Sequence, residues 1–134
     1  MNTRFRSAAR GLIPAIIAIP LTQSLLILGL VLFNQAFNVA ATIGFALSGL
    51  AGNLGGFIFW QLVGSGFGLG TQITFAGMVR FFSLRFANAI GIGLAFVSAQ
   101  LFGAYVYFHE PFSAAQWAGT ALVFMGILLI ALGH

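Results

Sequence analysis

The chain has one carboxylate. Glu110 stands between His109 and Pro111, and the only other histidine is His134, the last residue. A nucleophile–base–acid set needs a histidine paired with an acid inside a fold. A metal centre needs at least three ligands at suitable spacing. Neither pattern is in the sequence. No lysine occurs and the glycines lie within apolar runs, so no phosphate loop is encoded. The absence of cysteine removes disulfides and thiolate ligands. The residues therefore point away from an enzyme, and they call for no cofactor.

What remains is polar, uncharged chemistry inside apolar runs. Gln23 is flanked by Thr22 and Ser24, Gln72 by Thr71 and Thr74, and Gln100 follows Ser98. A glutamine facing lipid is expensive, so these three are expected to point inward. They then either line a path for a substrate or hydrogen-bond neighbouring helices together. Glu110 also has two readings. It caps the helix that follows, where an acid is favoured, or it serves as a coupling or gating carboxylate.

The elements that position these residues follow from composition. Hydrophobic residues make up 60% of the chain and charged residues 4%, against about 25% charged in a soluble domain. The reading is an all-α integral membrane protein, with the lipid bilayer as its first partner. The apolar runs are too long and continuous for barrel strands, so the spans are helices. Runs of about 20 apolar residues mark the spans. They place five at about 12–33, 39–58, 60–81, 86–108 and 114–132, in one transmembrane domain.

Pro20 is expected to kink the first span, and Asn34, Gln35 and Asn38 to mark the turn after it. The basic N-terminus followed by a long apolar run reads as a signal-anchor. Trp60, Trp117, Tyr105 and Tyr107 suit interfacial positions.

Small residues recur every fourth position in two places. Gly44, Ser48, Gly52 and Gly56 form one stripe, and Gly91, Ala95, Ala99 and Gly103 another. On helices such stripes let backbones approach closely. The rival reading of the first makes 49–56 a glycine-rich turn.

The arginines at 4, 6 and 10 form one positive cluster, and Arg80 and Arg85 a second. They are a topology signal, not a nucleic-acid patch. Five spans place the two clusters on opposite sides. Four spans place both inside, at the cost of leaving part of 34–58 re-entrant.

The run Phe86 to Gly133 resembles one repeat of the drug/metabolite transporter superfamily, in its EamA-like and small multidrug resistance branches. The residues that carry the resemblance are Tyr107-Phe108-His109-Glu110-Pro111, Trp117, Gly119 and Gly126. The His-Glu-Pro turn with Trp117 and Gly119 is also similar to the aminoarabinose-lipid flippase subunits of that superfamily. The resemblance implies transport by paired repeats, hence a homodimer or a heterodimer. Small multidrug exporters carry an embedded glutamate in their first span, where this chain has only Gln23. The expectation is a bacterial inner-membrane, multi-pass transporter or lipid-carrier flippase subunit. The alternative is a non-transporting accessory subunit of a larger membrane complex.

Overall fold

A computed structural model describes residues 21–132. Pro14, Pro20, the three N-terminal arginines and His134 lie outside the described residues. The described chain is all helical, without strands. It contains α1 (Leu21–Gly49), α2 (Leu54–Val79), α3 (Leu84–Tyr107) and α4 (Ala114–Leu132). The first three are long and apolar enough to cross a membrane, and α4 contributes a shorter apolar helix, Ala114–Ile130.

The expected turn at Asn34, Gln35 and Asn38 is not there. One helix of 29 residues runs through all three, about 43 Å long at 1.5 Å per residue. Asparagine favours turns because its side chain competes with the backbone for hydrogen bonds. Here the amides of Asn34 and Gln35 find partners on other helices instead, so the backbone ladder survives. The break falls later, between Gly49 and Leu54. Asn53 opens α2 as its N-cap, its side-chain oxygen accepting from the Gly56 amide at 2.7 Å. The run expected at 39–58 is therefore divided between α1 and α2, and the turn reading of 49–56 describes the backbone better than the stripe.

α1 and α2 form an antiparallel hairpin in constant register. Leu30 lies over Gly77, Phe37 over Gly70 and Gly44 against Gly64. At the last pair the backbones meet: a Cβ on Gly44 would stand 2.9 Å from the Gly64 Cα. Near the turn, the buried Ser48 hydroxyl donates to the Phe57 carbonyl at 3.0 Å. Gly44 and Ser48 thus do pack as the stripe required. Gly52 does not, having no neighbour within 4 Å of a Cβ position, and Gly56 meets only Ala51 and Asn53 of its own turn.

α3 is not a uniform helix. Leu84–Asn88 and Ala95–Ser98 are α-helical, whereas Ala89–Leu94 and Ala99–Tyr107 are π-helical. Ser83 caps its start, accepting from the Phe86 amide at 3.4 Å. The second stripe packs along part of its length. Gly91 and Ala95 are buried, Gly91 beneath Phe75 and Met78 of α2, and Ala99 is half-buried. Gly103 is buried, yet a Cβ there would meet nothing within 4 Å.

α4 returns antiparallel to α3, with Ile127 seated on Gly93 and Trp117 against Tyr105. Ile127, Ala89 and Val97 form the small core of this half.

Candidate functional site

The three long helices line an open cleft of about 780 Å³. α1 contributes Asn34, Asn38 and Thr42, and α2 contributes Thr71, Gln72 and Phe75. α3 supplies Asn88, Gly91, Phe96 and Gln100 among others. Among the described residues, none that lines it is charged. Its volume falls within the usual range of about 300–1,000 Å³ for small-molecule sites.

Two of the three glutamines singled out from the sequence, Gln72 and Gln100, line this cleft at different depths, Gln72 exposed and Gln100 half-buried. Gln23 does not. It sits exposed in the first turn of the described part of α1, well away from the cleft. The asparagines that read as turn formers, Asn34 and Asn38, are cleft residues, and Asn88 joins them. The signal for them in the sequence was four-residue spacing: 34, 38 and 42 fall on one helical face.

The amides divide into two groups. Asn34 is fully buried and saturated. Its Nδ2 donates to the Thr71 carbonyl at 2.9 Å and to Thr74 Oγ1 at 3.0 Å, while its Oδ1 accepts from Gln35 Nε2 at 3.3 Å. Gln35 is likewise engaged. Its Nε2 also donates to the Ile90 carbonyl at 3.2 Å, and its Oε1 accepts from the Ser98 hydroxyl at 3.1 Å. This pair ties all three helices together. In contrast, the side chains of Asn38, Gln72, Asn88 and Gln100 make no hydrogen bond to another described residue.

The four unengaged amides stand at different depths. Measured from the end of the bundle that carries Arg80 and Arg85, helix rise puts Asn88 at about 6 Å, Gln72 at about 10 Å and Gln100 at roughly 24 Å. Asn38 falls between the last two, since its neighbour Phe37 is level with Gly70. The result is a staggered series of amides, with the half-buried Phe75 and the exposed Phe96 between them.

A second groove of about 480 Å³ has the Gln35–Ser98 contact in its wall. Gln35 and Ser98 are its polar residues, and Ala36, Val39, Ala40, Ile43 and Phe102 complete it.

Glu110 lies apart from both. It is exposed and stands four residues before α4 begins. It is not the cap. The Ser113 hydroxyl accepts from the Gln116 amide at 3.3 Å, and Gln116 Oε1 accepts from the Ser113 amide at 2.7 Å. This is a reciprocal capping box, legible in the sequence as Ser-x-x-Gln. Phe112, just before the cap, packs on Trp117 with ring centroids 5.2 Å apart, as a hydrophobic staple does. Tyr105 closes the cluster on both rings.

The turn before Ser113 is built on His109, whose φ of 54° is left-handed, a region that histidine enters more readily than most residues. The Glu110 amide then donates to the Ala104 carbonyl at 3.0 Å. That closes the widened end of α3.

No protein-family model, curated protein or solved structure matches this chain.

Proposed function

We propose that this chain is a membrane transporter or lipid-carrier flippase subunit of the drug/metabolite transporter type, and that the uncharged cleft is its share of the substrate path. The observation that carries the reading is the staggered series Asn88, Gln72, Asn38 and Gln100. An unengaged amide at membrane depth costs free energy unless something polar meets it. Amides at successive depths offer a polar group successive partners along the helix axis. The likeness of Phe86 to Gly133 to a transporter repeat supports the same reading, as does its implication of pairing. Among the described residues the cleft is open, which suits completion of its wall by a second copy or a similar subunit. The reading places the chain in a bacterial inner membrane, with the arginine clusters permitting either orientation.

One observation favours the accessory-subunit reading. α4 is apolar and largely uncovered, with Leu122 at 73% and Leu129 at 70% exposure, and Gly119 has no neighbour within 4 Å of a Cβ position. That face suits packing against helices of a larger complex.

The absence of cysteine makes a clean test. Single cysteines at 38, 72, 88 and 100 are treated in sealed vesicles with a membrane-impermeant thiol reagent, from each side. A water-lined path gives labelling at all four positions. Positions 72 and 100 unreactive from both sides would reject the path and leave the amides as helix-packing groups.

A further inference from the structure

We infer that the cleft selects an uncharged ligand bearing several hydroxyl or amide groups on a ring-sized scaffold, and that Asn38, Gln72, Asn88 and Gln100 are its binding residues. The inference rests on the cleft being a substrate site and names the chemistry that the site accepts. Four observations carry it.

The first is the missing charge. Among its described lining residues the cleft has neither the carboxylate that a cation needs nor the arginine that an anion needs. Moving an ion from water into such a site leaves its charge uncompensated, which is far costlier than moving a neutral polar group. The second is the kind of polar group present. Each side-chain amide offers two N–H donors and a carbonyl acceptor in one plane. A hydroxyl is also donor and acceptor at once, so vicinal hydroxyls match amides in either orientation.

The third is the division of labour. Asn34 and Gln35 have spent their hydrogen bonds on Thr71, Thr74, Ile90 and Ser98, so they hold the walls. The remaining four amides make no hydrogen bond to a described residue and are the ones placed to meet a ligand. The fourth is the apolar surface between them. Phe75 rests over the Gly91 backbone, where a Cβ would approach its ring to 2.7 Å, and Phe96 stands 46% exposed on the α3 wall. Flat apolar faces interleaved with amides suit a ring whose faces are apolar and whose edge is hydroxylated.

Such a group reaches the cleft either as a water-soluble solute or as the headgroup of a lipid. The test separates the two. The full chain in phosphatidylcholine nanodiscs is titrated, with native mass spectrometry as readout, against maltose, monoglucosyl diacylglycerol, and the cations tetraphenylphosphonium and dodecyltrimethylammonium. Binding of maltose or of the glycolipid supports the inference and identifies the source. Each of Gln72→Leu and Gln100→Leu is expected to weaken that binding about tenfold, as loss of one good hydrogen bond does.

Leu122→Ala, on the uncovered face of α4, is expected to leave binding unchanged and reports that the preparation is folded. Cations bound as tightly as the neutral probes would overturn the inference, as would neutral binding indifferent to both glutamine variants. No binding of either neutral probe by chain whose Leu122→Ala and parent forms unfold normally would overturn it too. The transport reading fails separately. Neutral ligand bound without movement across a vesicle membrane sinks transport and leaves the ligand class standing.

Discussion

The two hairpins of this bundle are held together in opposite ways. α1 and α2 are regular α-helices pressed backbone to backbone at Gly44 and Gly64 and tied by the buried Asn34. α3 and α4 meet through side chains, Ile127 on Gly93 and Trp117 on Tyr105, and α3 is π-helical over Ala89–Leu94 and Ala99–Tyr107. The difference teaches where this fold is rigid and where it can adjust. Backbone contact has no rotamers to change, whereas a side-chain contact does, and a π-helical turn is a local departure from the regular hydrogen-bond ladder. The cleft lies between one wall of each kind. A site built this way keeps one fixed face and one that can re-register.

The sharpest test of that contrast is to add one methyl to each hairpin. Gly44→Ala places a Cβ 2.9 Å from the Gly64 backbone, and nothing there can rotate away. Gly93→Ala places one 2.5 Å from the Ile127 side chain, which can swing. Gly44→Ala is expected to destabilise by about 3 kcal/mol, the upper part of the overpacking range, and Gly93→Ala by about 1 kcal/mol. Unfolding in mixed detergent micelles measures both. Equal losses would remove the distinction between the hairpins.

The next effect in size belongs to Asn34. Asn34→Leu keeps most of the volume and deletes the donors to Thr71 and Thr74. A loss of about 1–2 kcal/mol is expected, at the upper end of what interhelical hydrogen bonds in membranes contribute. Asn38→Leu, on the same face but unengaged, is expected to leave stability within about 0.5 kcal/mol, as substitutions away from packed features do. A destabilisation by Asn38→Leu as large as that of Asn34→Leu would show that the division into structural and unengaged amides is wrong.

That division is also where the sequence stopped being readable. Helicity and the long apolar runs follow from composition, because lipid leaves unpaired backbone groups no alternative. The start of α4 could be placed closely, since Pro111 and the polar turn interrupt the hydropathy. α1 could not. Asn34, Gln35 and Asn38 carry the local signature of a turn, and only contacts to residues near 71, 74, 90 and 98 reverse it. Those partners lie some 40 to 60 residues away, beyond any local pattern. Gln72 and Gln100 were legible as inward-facing candidates, but their sharing one cleft depends on α1 being unbroken. The cap of α4 is carried by Ser113-x-x-Gln116, a stronger local signal than the lone acid Glu110.

The cap provides a smaller effect that separates the second hairpin's turn from its packing. Ser113→Ala removes the acceptor for the Gln116 amide and is expected to cost about 1 kcal/mol. Glu110→Gln is expected to change the stability of α4 by less than about 0.3 kcal/mol, because the carboxylate touches no cap and is open to water. Both are read as shifts in unfolding midpoint under the same detergent conditions. A larger loss from Glu110→Gln than from Ser113→Ala would return the capping role to the carboxylate.

The least global effect, and the most local, is expected at Gln35. Its amide donates to the Ile90 carbonyl inside the first π segment, and it accepts from Ser98 in the α-helical stretch between the two π segments. Gln35 therefore holds the adjustable wall to the fixed one at the point where α3 changes pitch. Gln35→Leu removes that latch and leaves the Ile90 carbonyl to the helix's own amides. The expected loss of stability is only about 0.6 kcal/mol, the mean for an interhelical hydrogen bond in a membrane protein. The expected local change is larger. Amide hydrogen exchange should accelerate several-fold over Ala89–Ser98 while Leu21–Gly49 keeps its protection, since opening there no longer breaks the contact to α1. Ser98→Ala, which removes one of the same bonds, should give a weaker version of the same pattern. Uniform acceleration across both hairpins would mean that the two walls open as one body, and the contrast between a fixed and an adjustable side of the cleft would be lost.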